Sequence, residues 1–322
     1  AKEALGDQAS YLKLGLVNPL PVELIKEFAS KVERLYVVEE LEDIIETHCR
    51  KIGVPVIGKE IFTYIGEYSQ QMIAKAILNK ETEYTKLEEN IPVRPPVMCP
   101  GCPHRGLFYI LHKLGVMVSG DIGCYTLGAA PPLNAIDTTV CMGASISGLH
   151  GFNTARGKES AQNSVAVIGD STFMHSGITG LVDITYNKGI STIIILDNRI
   201  TGMTGHQDNP TTGYTLKGEE TYAVSLEAIC KAVGINRVKV VDPNDLKETE
   251  QAIREELAIE EPSVIITRRP CALLKRVKHH KPLVIDPQKC KSCKKCFQVG
   301  CPAISMKDGK ACIDTTLCVG CD

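Results

Sequence analysis

The sequence contains no tryptophan, and aromatic residues fill only 5% of its 322 positions. A surface that stacks single-stranded bases needs exposed rings, so this scarcity argues against one. An excess of one charge is also lacking: 36 Lys and Arg stand against 38 Asp and Glu, for a formal net charge of −2. That balance excludes the basic footprint of a nucleic-acid-binding protein. No apolar run reaches the length of a membrane-spanning helix, and the opening AKEALGDQAS has none of the features of a secretory signal. The expectation is a soluble, cytoplasmic chain with no nucleic-acid or membrane partner. Its hydrophobic content of 43% is enough for one large core or two modest ones.

Cysteine, by contrast, is abundant. The 14 cysteines fall largely in Cys-x-x-Cys groups within an unsignalled α/β pattern, which favours metal or iron–sulfur ligation in a reducing compartment over disulfides.

The rest of the chain is organised around residues 164–201. SVAVIG and the run Ile190–Leu196 lack the alternation of a half-wetted sheet and read as buried parallel strands. The first ends in Gly169-Asp170-Ser171 and the second in Asp197-Asn198, one strand–helix–strand unit later. Parallel strands deliver Asp170 and Asn198 to the same edge of an open sheet, where such folds bind ligands. A carboxylate and an amide oxygen suit a hard cation such as Mg²⁺; two turn residues of an ordinary sheet are the alternative. Beyond Asn198, the stretch Thr201-Gly-Met-Thr-Gly205-His206-Gln207 supplies glycines and hydroxyls fit for a loop over a diphosphate. His206 there, and His104 further upstream, are the histidines available for a catalytic role, a surface-loop histidine being the competing reading of His206.

Before this centre, the chain reads as a βαβ-like segment. It has a helix through Val22–Lys31, a short strand at 34–39, a helix at 40–51, a second short strand near 53–58, and a helix from 70 fading into a charged linker that Pro92, Pro95 and Pro96 end. Glu39, Glu40 and His48 there fit a charged helix terminus and a surface histidine. Cys99-Pro-Gly-Cys102-Pro-His104 precedes a helix, so the pair suits either thiol redox chemistry or soft-metal ligation. Cys124 follows a strand at 116–119, near the edge that carries Asp170. Further strands are expected at 237–241 and 263–267, with Cys271 after the last. Met142, before a helix at 144–156, reads first as core packing.

At the end, Cys290, Cys293, Cys296 and Cys301-Pro302 form C-x2-C-x2-C-x4-C-P, and Cys318 and Cys321 begin a second run. This resembles the ligand run of bacterial two-cluster ferredoxins, with one extra residue before the fourth cysteine. Two such clusters need eight cysteines; Cys312 sits in a strand-like KACID, which leaves six of the eight here. Zinc ribbons are the alternative.

Taken together, LKLGLVNPLP, CPGCPHR, GDIGCYTLG, DTTVCMGAS, GDSTFMHSGI, LDNRITGMTGHQ and the tail run resemble the thiamine diphosphate-dependent 2-oxoacid:ferredoxin oxidoreductase family, most closely the large (alpha) subunits of its arylpyruvate branch. The resemblance implies an open, mostly parallel α/β sheet with the thiamine diphosphate-binding fold at 89–284. A partial transketolase-C-like α/β segment with linker precedes it at 1–88, and the start of a two-cluster ferredoxin-like domain follows at 285–322. It implies Mg²⁺ on Asp170, Asn198 and the Ile200 carbonyl, with Gly169, Ser171, Thr201, Gly205 and Met142 around the cofactor. Cys290, Cys293, Cys296, Cys301, Cys318 and Cys321 become ligands of two tail [4Fe-4S] clusters. Cys99, Cys102, Cys124 and Cys271 resemble the ligands of a third, proximal cluster.

The implied activity is oxidative decarboxylation of arylpyruvates such as indolepyruvate and phenylpyruvate, with coenzyme A capturing the acyl group and ferredoxin taking the electrons. The implied partners are a smaller beta subunit, in duplicated alpha/beta pairs, and external ferredoxin. The glutamate that activates the cofactor belongs to a pyrimidine-binding domain with no counterpart here, so the fragment alone is expected to be inactive. The alternatives are a non-oxidative thiamine diphosphate-dependent 2-oxoacid decarboxylase and an electron-transfer subunit whose thiamine-like fold has lost its chemistry.

Overall fold

Strands without polar alternation need cover on both faces. In the computed structural model, which describes residues 1–81, 83 and 88–321, helices supply it. Part of the expected 70–90 helix and charged linker lies outside the described residues. Two units are present, Ala1–Val93 and Arg94–Asp322.

In the second unit, six parallel strands form one sheet: β1 (Met117–Gly120), β2 (Thr138–Thr139), β3 (Ser164–Gly169), β4 (Thr192–Asp197), β5 (Arg237–Val241) and β6 (Ser263–Arg268), in the spatial order β2-β1-β3-β4-β6-β5. Successive residues of β3 and β4 point to opposite faces. Val165, Val167, Ile194 and Leu196 pack on one side with Leu107, Leu111 and Ile253 from the helices His104–Leu114 and Leu246–Leu257. Ala166, Ile168, Ile193 and Ile195 pack on the other with Ile146, Leu181 and Leu226 from the helices Ala144–Arg156, Ile178–Tyr186 and Leu226–Ala232. Every residue of both strands is therefore buried, which accounts for their unbroken hydrophobicity.

The tail lies in the same unit. It contributes an antiparallel pair, β7 (Ile304–Lys307) and β8 (Lys310–Ile313), joined through Asp308-Gly309. Both turn residues have positive φ, 49° and 74°, the backbone of a tight hairpin turn that Asp-Gly adopts readily. Such a hairpin is compatible with a ferredoxin-like domain.

The first unit has helices at Val22–Ala29, Ile44–Lys51 and Gln70–Leu78. Here the structure corrects the sequence reading: the expected strands at 34–39 and 53–58 shrink to a single parallel bridge between Tyr36 and Ile57. Ile57 bonds Val37 N–H and Leu35 C=O at 2.8 and 2.9 Å. Beyond that point the chain turns to a different task. The Glu39 carboxylate accepts from the Ile45 and Glu46 N–H groups at 2.8 and 2.9 Å, capping the next helix. Among the described residues, no helix is long and apolar enough to cross a membrane.

Behind β4 and β6, Arg268 donates to Asp197 at 2.7 Å and Glu227 at 2.8 Å. The bond from Arg268 holds the Glu227 carboxyl down at about 2, against an ordinary 4.5. A depressed carboxylate contributes stability above its unfolded value and loses it as pH falls toward the folded value. Glu227→Gln should cost about 1 kcal/mol at pH 7. The gap between parent and variant should close between pH 4.5 and 2, read from urea midpoints across that range.

Candidate functional site

The register that pairs Gly169 with Leu196 sets Asp170 and Asn198 at adjacent strand tips. Both side chains line one cavity, together with Gly169, Ser171, Ile200, Thr201 and Met142. His104 and Cys124 form another part of its wall, and Met203 and Thr204 close it from the loop. Gly205 and His206 do not line this cavity; they are exposed on the loop beyond, where His206 Nε2 lies 3.9 Å from Cys271 Sγ.

Asp170 is only 2% exposed, and among the described residues no cationic side chain pairs with it. Its Oδ2 accepts from Thr211 Oγ1 at 3.1 Å and from Asn209 Nδ2 at 3.3 Å. Burial, with the charge of Asp197 adding to it, raises its carboxyl from 3.8 to about 7. A carboxylate held this way is deficient in positive charge. Beside it, Asn198 presents an amide whose Oδ1 accepts weakly from Ile200 N–H at 3.3 Å. Two hard oxygen donors at the mouth of a buried pocket fit a divalent cation such as Mg²⁺.

The amide of Asn198 also meets His104, Nδ2 to Nε2 at 3.4 Å. Burial lowers His104 from 6.5 to about 4, so the ring is neutral at pH 7 and can accept from the amide. Thr201 Oγ1 donates to Ser171 Oγ at 2.8 Å, tying the loop to the end of β3. Met142 is 46% exposed, so it belongs to the cavity wall rather than to the core.

Three residues of this network were not singled out from the sequence. Asn209 and Thr211 hold Asp170, and their signal was the Asn-Pro-Thr turn, in which Asn209 Oδ1 accepts from Thr211 N–H at 2.9 Å. Asp121, fully buried after β1, accepts from the N–H groups of Ile122, Gly143 and Ser145 at 2.8 to 3.1 Å. It thereby anchors the start of the helix Ala144–Arg156, whose Gly143 has φ of 87° and lies too close to Ser176 for a side chain.

Gly169 is constrained by a neighbour instead. A Cβ there would sit 2.8 Å from the Tyr125 ring, which is pinned by its hydroxyl on the Ile122 carbonyl at 3.0 Å and stands edge-on to His104. Gly169→Ala should therefore cost about 1–3 kcal/mol through displacement of Tyr125, measurable as a lower urea midpoint.

Two groups of cysteines are neighbours in the structure. Burial is the main cause of the raised values of Cys102, Cys124 and Cys271, and Cys99 lies close enough to all three that its charge would add to the rise; Cys102 is pushed up to about 12. Cys321 has Cys301 and Cys318 as such neighbours. Backbone N–H groups point at two tail sulfurs, Ala311 to Cys290 at 3.5 Å and Leu283 to Cys318 at 3.4 Å. Cys293 is exposed, and Cys296 sits on the turn Lys295–Val299. Among the described residues no three acidic, histidine or cysteine side chains converge tightly enough for a single metal ion. A cubane spreads its thiolates around a larger body, and neighbouring, partly exposed cysteines, two of them in the tail with N–H donors on sulfur, suit that donor chemistry.

The sheet edge and its cavity define a chain of the thiamine diphosphate-binding class, and residues 121–267 match the family model described as thiamine pyrophosphate enzyme, C-terminal TPP binding domain. Two curated relatives are named indolepyruvate oxidoreductase subunit IorA. That of Pyrococcus horikoshii is 37% identical over 99% of this chain and 56% of its own length, and that of Methanothermobacter marburgensis is 37% identical over 100% and 55%. The chain belongs to this IorA family and spans about half the length of the curated relatives it matches. A solved structure, 2-oxoglutarate:ferredoxin oxidoreductase from Magnetococcus marinus, superposes with a TM-score of 0.48 at 17% identity, covering 57% of this chain and 67% of that one.

Proposed function

We propose that this chain is the cofactor-binding and electron-exit portion of an enzyme that oxidatively decarboxylates arylpyruvates, such as indolepyruvate and phenylpyruvate, to aryl-acetyl-CoA and CO₂, passing electrons to ferredoxin. The substrate class follows the name carried by the relatives. A smaller partner subunit, in duplicated pairs with this one, completes the enzyme.

The carrying observation is that Cys124 shares a cavity wall with Asp170 and Asn198. A cation and diphosphate site therefore adjoins a set of four neighbouring cysteines. A purely non-oxidative decarboxylase has no use for that adjacency, nor for the tail cysteines.

In this reading Asp170, Asn198 and the Ile200 carbonyl hold Mg²⁺. Thr201 and Ser171 supply hydroxyls near the diphosphate, and Gly169 leaves room for the ring of Tyr125. Asn209 and Thr211 keep Asp170 aimed into the cavity, and neutral His104 orients the Asn198 amide. When bound, thiamine diphosphate supplies the electron sink for loss of CO₂. Cys99, Cys102, Cys124 and Cys271 would hold a proximal [4Fe-4S] cluster. Cys290, Cys293, Cys296, Cys301, Cys318 and Cys321 contribute to two further clusters, all three serving as one-electron carriers.

Anaerobic analysis of the full-length protein with its partner subunit tests the scheme. About twelve iron per chain and one thiamine diphosphate are expected from three four-iron clusters; about eight iron would remove the proximal cluster. Asp170→Ala should abolish Mg²⁺-dependent binding of thiamine diphosphate in calorimetry while tail-cluster iron stays at the parent level. Equal loss of both would indicate misfolding rather than loss of a ligand.

A further inference from the structure

Arg105 follows the Cys-x-x-Cys and is only 7% exposed, yet among the described residues no carboxylate pairs with its guanidinium. A buried cation without a counter-charge is costly. Its partners are carbonyl oxygens from two distant stretches. Nη2 donates to Met98 and, at 3.3 Å, to Cys99; Nε also donates to Cys99 at 3.3 Å. Nη1 donates to Val299 at 3.0 Å and to Gly300 at 2.5 Å. The flat, five-donor fork thus spans from the loop of Cys99 and Cys102 to the residue preceding Cys301.

Four cysteines lie near enough to act on it as thiolates: Cys102, Cys301, Cys99 and Cys321. The first and third belong to the set beside the cavity, the second and fourth to the tail. Neighbouring contacts fasten the same seam. Asn244 Nδ2 donates to the Cys321 carbonyl at 2.8 Å, and Gly300 leaves no room for a side chain between Pro132 and Arg105.

We propose that Arg105 is the shared counter-cation of two iron–sulfur clusters, the proximal one and the tail cluster held in part by Cys301, Cys318 and Cys321. It is a positioning residue that sets their spacing and raises both reduction potentials. This rests on the cluster assignments made above. A cubane held by four thiolates is anionic, and one-electron reduction makes it more so. A fixed positive charge between two such bodies stabilises the reduced form of each, in a low-dielectric setting where charge acts strongly.

The test uses the full-length protein with its partner subunit, prepared anaerobically, and spectroscopically monitored redox titrations with dithionite as reductant. Arg105→Gln at full iron should shift the oxidised-to-reduced ratio of both clusters about tenfold toward oxidised at a given potential, which is 59 mV for a one-electron couple. Arg105→Lys should stay near the parent at neutral pH. Unlike a guanidinium, a lysine can lose its proton, so the Lys variant's potentials should fall at alkaline pH where the parent's stay flat.

Arg105→Gln clusters that titrate like the parent, or a Lys variant already as low as the Gln variant at neutral pH, overturn the proposal. Should Arg105→Gln lose its iron, the alkaline profile of the Lys variant decides alone: a fall supports the charge role and a flat profile overturns it. Iron content of the unaltered protein separates this outcome from failure of the cluster assignment. Eight iron in the parent removes the proximal cluster itself, and the proposal with it.

Discussion

A charge taken out of water must meet an opposite charge or a dense set of dipoles, and in the second unit Asp170 and Arg105, like Asp121, have only dipoles. Asp170 has Asn209 and Thr211, and Arg105 has four carbonyl groups. Neither arrangement is economical for a protein that only folds. Under the proposed function the missing charge is brought by a bound group, a divalent cation for Asp170 and anionic clusters for Arg105. The parallel sheet makes this possible, because strand tips present side chains into one crevice while both faces remain sealed by helices.

The two buried charges sit on structures that meet at the cavity. His104, next to Arg105 in the chain, touches Asn198, and Cys124 stands in the cavity wall. One short stretch, 98–105, therefore borders both the Asp170–Asn198 cavity and the cysteine set. The backbone constraints follow the same logic. Gly143 allows the helix to start where Asp121 can anchor it, and Gly169 leaves space for the buried, hydrogen-bonded ring of Tyr125.

Much of this fold was legible because β3, β4 and β6 are covered on both sides, and strands of that kind announce themselves as unbroken apolar runs. Asp170 and Asn198 were legible for a related reason, since a polar residue directly after such a run marks a strand tip. The strands expected at 34–39 and 53–58 read as plausibly, yet only Tyr36 and Ile57 pair. Local propensity cannot say whether a partner strand stays alongside, and there Glu39 turns to cap a helix instead. Asn209, Thr211 and Asp121 were not singled out because each acts through partners at least 20 residues away, on Asp170 or on the start of another helix.

The residues alone determined the chemistry on offer: hard oxygens after two buried strands, soft sulfurs in spaced pairs, and an α/β alternation to carry them. That information is local, written in hydrophobic runs and short spacings. Only the tertiary structure decided the company each group keeps, placing Cys124 beside the Asp170 cavity, His206 outside it and Arg105 between two sets of thiols. Burial and long-range proximity set those environments, and both are properties of how distant segments pack rather than of any one stretch of chain.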